Sequence, residues 1–302
     1  MLKIKYSSNL EDSYYKSIAT SKADKFKGLT FEEYYDKHYK RILQSDLKDI
    51  LCGDFEKLLE IKTQHGTKFK DDKKTKRLFN YDKQSTNNFE PLISKLQPKI
   101  SKFFEQYVEV HTCYYCNIEF INTFKKHNET KNAFTLDHVL EKVTYPFLAL
   151  SLYNLAPSCY TCNSKVKDSK IEFDKFSPTN QNFDFTEKVK FKIFLQNPNL
   201  QIDKENDFFV KLIENFSNQY DAYIESLNLD DRYEYHKYKV IELIKKRRDY
   251  PDSRLKELSI LTGKTEEEIK QDLFGVYLDN KNLHKRPLSK LTKDILEQLE
   301  II

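Results

Sequence analysis

Four of the five cysteines in this chain form two Cys-x-x-Cys pairs, and this pattern constrains the fold more than any other feature. The pairs are Cys113 with Cys116 and Cys159 with Cys162, and 42 residues lie between them. A two-residue spacer lets both sulfurs of a turn point at one ion, and Zn²⁺ prefers four soft ligands in a tetrahedron. A redox dithiol does not recur as two distant, matched pairs. The pattern therefore predicts a structural zinc site, rather than a redox dithiol or two unrelated buried thiol pairs.

The scarcity of glycine limits the fold classes that fit the rest of the chain. Only 5 of the 302 residues are glycine, whereas average usage would give roughly 20. Folds with Gly-rich phosphate loops, such as a doubly wound nucleotide-binding sheet, are therefore disfavoured. The 22 Phe and 20 Tyr provide enough bulk for a packed core. We expect an α+β fold that is predominantly helical.

The cellular compartment is inferred from features that are missing in the sequence. The N-terminus, MLKIKYSSNLEDSYY, lacks the apolar core of a signal peptide. No apolar run approaches the roughly 18 to 20 residues that span a membrane. We expect a cytoplasmic protein with no membrane partner, and in that reducing compartment paired cysteines more often hold metal than form disulfides. Cys52, next to Leu51 on an apolar helical face, is expected to be a core residue.

The chain divides into three regions of different charge and periodicity. Residues 1–105 carry 22 Lys and Arg against 16 Asp and Glu, a net charge of +6. Residues 106–175, which include both cysteine pairs, carry eight of each, and residues 176–302 have a net charge of −2. We expect a helical N-terminal region, a small core around the cysteines, and a mostly helical C-terminal region with a short strand pair near its start.

Helical signals dominate the N-terminal region. Thr30, followed three residues later by Glu33, is a capping-box pattern, and apolar residues behind it recur at three- and four-residue steps. Residues 65–90 are polar and are expected to form a loop or a poorly ordered excursion. Helical spacing resumes over Pro91–Glu109, where Pro98 is expected to kink or split the helix.

The C-terminal region begins with alternating residues and continues as helices. Lys188–Gln196 alternates polar and apolar residues, which predicts a half-buried strand, and Phe208–Ile213 is expected to pair with it. The predicted helices that follow cover Asp230–Arg248 and Asp252–Leu261, with a capped helix at Thr265–Glu268 and a last one after Pro287.

Four polar residues lie between the two cysteine pairs or directly after the second pair, in the segment that a bound zinc ion would hold together. Asp137 and His138 end an apolar, β-prone run, and Asn154 and Asn163 follow, nine residues apart. An Asp–His pair is by itself a weak signal, because most such pairs are surface residues or satisfied hydrogen bonders. The surrounding cysteines and asparagines make this pair a candidate catalytic site.

Together these residues resemble the HNH endonucleases. The ββα-metal motif of that family reads Asp or His followed by His, then Asn, then a closing His or Asn, often framed by two zinc-binding Cys-x-x-Cys pairs. The resemblance covers about 60 of the 302 residues and leaves the flanks unexplained. It runs through Cys113, Cys116, Asp137, His138, Asn154, Cys159, Cys162 and Asn163.

The resemblance implies a role for each polar residue. His138 would act as the general base that takes a proton from the attacking water, for which an imidazole is suited near neutral pH. Asp137 and Asn163 would hold a catalytic divalent ion, Mg²⁺ or Mn²⁺, through oxygen. Asn154 would pin the loop between the strands and hold the His138 ring in place. The closing residue is Asn163 rather than histidine, and an amide is a weaker ligand.

Nearby basic residues are the candidate nucleic-acid contacts. Lys142 follows His138 by four residues, and Lys165 and Lys167 follow Asn163. These lysines are expected to contact the phosphates of DNA. His111, two residues before the first cysteine pair, is left out of the zinc site because four cysteines already fill a tetrahedron.

Three functions remain open at this point. The first is a metal-dependent DNA endonuclease, the second is a catalytically silent zinc-stabilised module that binds nucleic acid or protein, and the third is an RNA-directed nuclease or another hydrolase. A scaffold needs only the cysteines, whereas Asp137, His138 and Asn163 are all present, which favours the nuclease. The basic N-terminal region is expected to add salt-dependent substrate affinity, or else a partner subunit presents the DNA.

A wider resemblance concerns biological context. The form Asp-His with Lys142, Tyr145-Pro146, Asn154-Leu155, Pro157 and a terminal Cys-Asn is similar to stand-alone nucleases of bacterial anti-phage systems. In the Septu-type and retron-associated systems such a nuclease works beside an ATPase. The chain has no Gly-x-x-x-x-Gly-Lys pattern, so the ATPase would be a separate protein.

Overall fold

The structure is a computed structural model of the 302-residue chain. It describes every residue except 7–8, 82–90, 94–95, 128, 168–172, 174–175, 198–200, 276 and 278, and of residues 129 and 130 it describes the backbone alone. About half of the chain is helical, and the strands form small antiparallel pairs. The expectation of a predominantly helical chain with a minor β component is confirmed.

The N-terminal region is built from short helices. Its capping box is confirmed, because Thr30 Oγ1 accepts a hydrogen bond from the Glu33 amide at 3.2 Å and the Glu33 carboxylate accepts one from the Thr30 amide at 2.7 Å. The helices are α1 Leu10–Ala19, α2 Phe31–His38, α3 Lys40–Leu43, α4 Leu47–Cys52, α5 Phe55–His65, α6 Lys73–Phe79 and α7 Leu96–Tyr107.

Two expectations for this region are corrected by the structure. Helix α6 lies inside the segment 65–90 that was expected to be a loop. It begins at an Asp72 cap whose carboxylate accepts a hydrogen bond from the Thr75 amide at 2.8 Å. Residues 82–90 lie outside the described part of the chain. Pro98 does not split α7, because it occupies the first turn, where a backbone N–H has no intrahelical acceptor.

The central region contains the strands that carry the Asp–His pair. Strands β3 and β4 are antiparallel, with Asp137 opposite Ala156 and His138 opposite Leu155. A helical turn, Cys162–Val166, follows β4 and begins at the last cysteine of the second Cys-x-x-Cys pair. The strands are β1 Thr123–Lys126, which pairs with β2 Glu129–Asn132, and β3 Thr135–His138, which pairs with β4 Leu155–Ser158.

The C-terminal region contains the expected strand pair followed by helices. Seven residue pairs join β5 Val189–Leu195 to the antiparallel β6 Phe208–Glu214, which confirms that prediction. The long helix expected over Asp230–Arg248 is divided in two around residue 235, and the capping box at Thr265 is confirmed. The helices are α8 Phe185–Lys188, α9 Asp221–Ser226, α10 Leu229–Glu234, α11 Lys237–Asp249, α12 Asp252–Thr262, α13 Glu266–Phe274 and α14 Ser289–Gln298.

One connected cluster of buried apolar residues draws its members from all three regions, for example Leu58, Leu148 and Leu291. Cys52 is a buried member of this cluster, as expected. The division at residues 105 and 175 stays a prediction. Among the described helices, none combines the length and the hydropathy needed to cross a lipid bilayer.

Candidate metal centre and active site

The two Cys-x-x-Cys pairs meet in the folded chain. The four sulfur atoms of Cys113, Cys116, Cys159 and Cys162 all lie within 4.8 Å of one another, and all four thiols are buried and free of disulfides. The amide of residue Ile118 points at the Cys116 sulfur at 3.4 Å, an arrangement that stabilises a thiolate. Four soft donors gathered in this way fit the tetrahedral coordination of a structural Zn²⁺.

Arg232 contacts the cluster of four thiols, and no pattern in the sequence predicted this contact. Its guanidinium lies on α10 and donates a hydrogen bond to the Cys162 sulfur at 3.3 Å. Burial alone would lower the pKa of Arg232, but the adjacent Cys162 and Cys116 thiolates outweigh burial and raise the pKa. A zinc ion with four thiolates carries a net charge of −2, so a fixed cation at the sulfur stabilises the site.

Asn154 binds both sides of the loop between β3 and β4. The side chain is fully buried. Its Oδ1 accepts a hydrogen bond from the Leu140 amide at 2.6 Å, and its Nδ2 donates to the carbonyls of Leu140 at 3.0 Å and Leu148 at 2.9 Å. These bonds hold the segment directly after His138 against the start of β4.

The protonation state of His138 follows from its contact with the loop. His138 Nε2 lies 3.0 Å from the carbonyl oxygen of Ala149. A carbonyl can only accept a hydrogen bond, so Nε2 carries the proton and Nδ1 keeps a free lone pair. Burial, with a smaller contribution from the nearby Lys142 ammonium, lowers the pKa of His138 to about 3. The imidazole is therefore neutral at physiological pH, and Nδ1 is its unprotonated nitrogen.

Tyr81 from the N-terminal region packs on this imidazole. The two ring centroids are 5.5 Å apart with the planes inclined by 26°, a stacked arrangement. The Lys142 ammonium lies 5.7 Å from the centroid of the same Tyr81 ring. Tyr81 follows α6 in a segment without periodicity, so no sequence signal marked it as part of the site.

The Asp137 carboxylate is buried and already faces a cation. Its Oδ2 accepts hydrogen bonds from the Tyr115 hydroxyl at 2.6 Å and from the Lys167 ammonium at 2.5 Å. Lys167 also donates to the His138 carbonyl at 3.3 Å. The position beside Asp137 therefore accommodates positive charge, and its hard oxygen donor fits a divalent ion such as Mg²⁺. Tyr115, which lies within the first cysteine pair, was not anticipated.

A cavity of about 1630 Å³ brings most of the predicted site residues together. Asn163 lines it and makes no hydrogen bond through its side chain to the described residues, which leaves its amide oxygen available as a ligand. Lys165 is exposed outside the cavity, with its ammonium 5.9 Å from the Tyr160 ring centroid. The lining includes Asp137, His138, Lys142, Asn163 and Lys167, together with Tyr81 and the additional lysines Lys62, Lys102 and Lys131.

Comparisons with known proteins identify the same segment. Residues 113–169 match the family model described as HNH endonuclease. The matched residues begin at Cys113, the first of the four clustered cysteines, and extend beyond Asn163. They therefore include the Asp–His pair and all four clustered thiols. The match makes this segment similar to an HNH endonuclease domain, which supports a nuclease-type function. No curated protein and no solved structure matches the chain.

Proposed function

We propose that this protein is a metal-dependent endonuclease that hydrolyses the phosphodiester bonds of DNA. The observation that carries the proposal is the state of His138, a neutral imidazole whose Nε2 is held by the Ala149 carbonyl. It lines a cavity together with Asp137 and Asn163, within the segment that matches the HNH endonuclease model. A base, an acidic oxygen donor and a lysine-rich cavity are the groups that phosphodiester hydrolysis requires.

In this proposal His138 Nδ1 takes the proton from the water that attacks the scissile phosphate. The hydrogen bond from Nε2 to Ala149 fixes the ring orientation and the tautomer. Substrate binding places a phosphate anion near the ring, which stabilises the imidazolium and raises the basicity of Nδ1 above that of the free protein. Asn154 acts through the loop: it holds residues 139–140, and with them the backbone of His138.

Asp137 and Asn163 would bind the catalytic ion, Mg²⁺ or Mn²⁺, through their side-chain oxygens. When bound, such an ion stabilises the charge that develops on the phosphate and on the leaving oxygen. Lys167 occupies Asp137 Oδ2 and would compete with the ion for that oxygen, and it lines the same cavity that would hold the phosphate. Lys142 and Lys165 complete the proposed phosphate contacts, and the basic N-terminal region adds salt-dependent affinity. The ββα-metal core would comprise β3, β4 and the turn Cys162–Val166.

The decisive experiment is plasmid cleavage by zinc-loaded protein with added Mg²⁺ or Mn²⁺, compared with excess EDTA. His138→Ala is expected to lower the rate by roughly 10² to 10⁴, the contribution of a general base, with zinc content and circular dichroism unchanged. His127→Ala, a change at an exposed histidine, is the matched control and should cut like the parent. If His138→Ala cuts as fast as the parent, the mechanism is wrong.

The same assay separates the other functions. Protein that binds DNA but cuts neither DNA nor RNA with any divalent ion would be the catalytically silent module. Faster hydrolysis of RNA than of DNA under matched conditions would identify an RNA-directed nuclease.

We further propose that the protein acts in the cytoplasm as an effector of bacterial anti-phage defence, beside a separate ATPase subunit. The support is the resemblance of the motif to nucleases of such systems. Phage plating on cells that express the protein with and without its genomic neighbours tests this. Protection that needs the neighbours and is lost in His138→Ala would support it, and equal plating in all strains would contradict it.

A further inference from the structure

A second cluster of possible metal ligands lies apart from the four thiols. It consists of Glu109, His111 and His284, whose ligand atoms all lie within 4.8 Å of one another. The closest pair is His284 Nε2 and Glu109 Oε2 at 2.7 Å, and the two imidazole centroids are 5.7 Å apart. The cluster joins the segment just before the first cysteine pair to a turn in the C-terminal region.

The backbone at each of these three residues is held by a hydrogen bond from a neighbour. The Glu109 carbonyl accepts from the Tyr114 hydroxyl at 3.0 Å, the His111 carbonyl from the Ile121 amide at 2.8 Å, and the His284 carbonyl from Thr112 Oγ1 at 2.7 Å. The backbones that carry the three ligands are thus held before any ion arrives, which reduces the entropy lost on binding.

We propose that Glu109, His111 and His284 form a binding site for a divalent ion of the zinc class. Two imidazole nitrogens and one carboxylate oxygen suit Zn²⁺, Co²⁺ or Ni²⁺, whereas Mg²⁺ and Ca²⁺ take oxygen ligands. Three protein ligands leave at least one coordination position for water. Glu109 and His111 are exposed, so an ion can enter directly from solvent.

Neighbouring positive charges lower the affinity of this site for a metal ion. The Lys285 ammonium lies 4.0 Å from Glu109 Oε2, and Lys3, Lys5 and Lys281 line the adjacent surface pocket. These cations oppose a second positive charge, although solvent and salt screen them. The site is therefore expected to bind more weakly than the buried thiolates, and a chelator should empty it first.

The test uses full-length protein without an affinity tag, dialysed to equilibrium against micromolar Zn²⁺. Metal analysis should find about two zinc ions per chain in the parent, and one each in His111→Ala and His284→Ala. His127→Ala changes an exposed histidine outside the cluster and should retain both. Lys285→Ala should retain both as well and bind the second ion at least as tightly.

Co²⁺ provides a second readout that does not depend on the number of metal ions measured per chain. Added to protein that already holds zinc at the four thiols, it should give visible d–d bands without sulfur-to-cobalt charge transfer, and these bands should be absent in His284→Ala. Zn²⁺ added to protein that holds zinc only at the four thiols should also raise the melting temperature of the parent but not of His284→Ala. A single zinc ion in the parent, or a second ion that persists in both histidine variants, would overturn the proposal.

Discussion

The Tyr81 ring stacks on the His138 imidazole, with the ring centroids 5.5 Å apart. The contact joins residues 57 positions apart in the chain, one from the N-terminal region and one from the end of β3. It leaves the Nε2 hydrogen bond to Ala149 intact. Two independent contacts therefore orient the candidate base, one through the ring plane and one through a ring nitrogen.

We first predict that removal of this ring contact slows the reaction. Tyr81→Leu should lower kcat by roughly 10- to 100-fold, because small displacements of a catalytic group have effects of that size, and should leave KM nearly unchanged. Tyr81→Phe keeps the ring and should retain most of the activity. Independently of activity, the NMR signals of the His138 ring should shift in Tyr81→Leu and stay near their original positions in Tyr81→Phe. Parental kcat and unshifted signals in Tyr81→Leu would contradict a positioning role.

The second prediction concerns the four thiols. Cys113→Ser should lower zinc content and reduce the melting temperature by roughly 10 °C or more, because structural zinc contributes folding free energy directly. Cys52→Ala is the control, since Cys52 is buried away from the cluster, and it should keep its zinc. Full zinc content in Cys113→Ser, measured by metal analysis, would be inconsistent with a four-thiolate site.

Arg232 supports a third prediction about the same site. Arg232→Met removes the hydrogen bond to the Cys162 sulfur and should weaken zinc retention by roughly 10- to 100-fold, the usual effect of losing a partner of a metal ligand. Arg254→Met, at an exposed arginine on α12, is the matched control. The measurement is zinc transfer to a colorimetric chelator. Equal transfer from both variants would show that Arg232 does not stabilise the bound ion.

The fourth prediction concerns the ion pair at Asp137. In the proposed site the Lys167 ammonium would compete with the metal ion for this carboxylate, so Lys167→Met should bind Mn²⁺ more tightly, by roughly tenfold or about 1.4 kcal/mol. Electron paramagnetic resonance of free Mn²⁺ measures this without any cleavage. Asp137→Asn should weaken binding in the same titration. Unchanged affinity in both variants would place the ion elsewhere.

A fifth prediction tests a buried ion pair in the C-terminal region. Lys290 pairs with Asp294 and donates to the Val189 carbonyl at 2.7 Å, and both side chains are almost fully buried. Burial lowers the pKa of Lys290 to about 8 and raises the pKa of Asp294. Lys290→Met should lower the free energy of unfolding by at most about 3–5 kcal/mol. It removes the closest cation from a buried carboxylate, which then keeps the Lys190 ammonium at 3.6 Å and the Phe191 amide at 2.9 Å.

Urea denaturation of a double-mutant cycle measures the coupling in this pair. Adding Asp294→Asn to Lys290→Met should recover part of the loss, since the buried negative charge that has lost its closest cation is then removed. The exposed pair Lys264 and Asp272 is the control, and its disruption should change the free energy of unfolding far less, because solvent screens both charges. Similar losses at both pairs would mean that burial does not govern the difference.

Short-range sequence patterns correctly predicted two helix caps and one strand pair. The capping boxes at Thr30 and Thr265 depend on residues three apart, and the β5–β6 pairing depends on alternation within short segments. The apolar spacing extends the helix back to Pro91, whereas α7 begins at Leu96, so Pro98 lies in the first turn, where a proline is tolerated, and not in the helix interior. Helix α6 was missed because its short, lysine-rich sequence has little apolar periodicity.

The amino-acid sequence by itself determined the four-thiol cluster, the Asp–His pair, the two capping boxes and the β5–β6 pairing, because each depends on residue type and short-range spacing. Only the tertiary structure decided which groups surround them. Tyr81 on His138, Arg232 at Cys162 and Lys167 on Asp137 join separate segments, and packing of the shared core sets their distances. The same holds for Glu109, His111 and His284, since no spacing along the chain connects residue 284 to the other two.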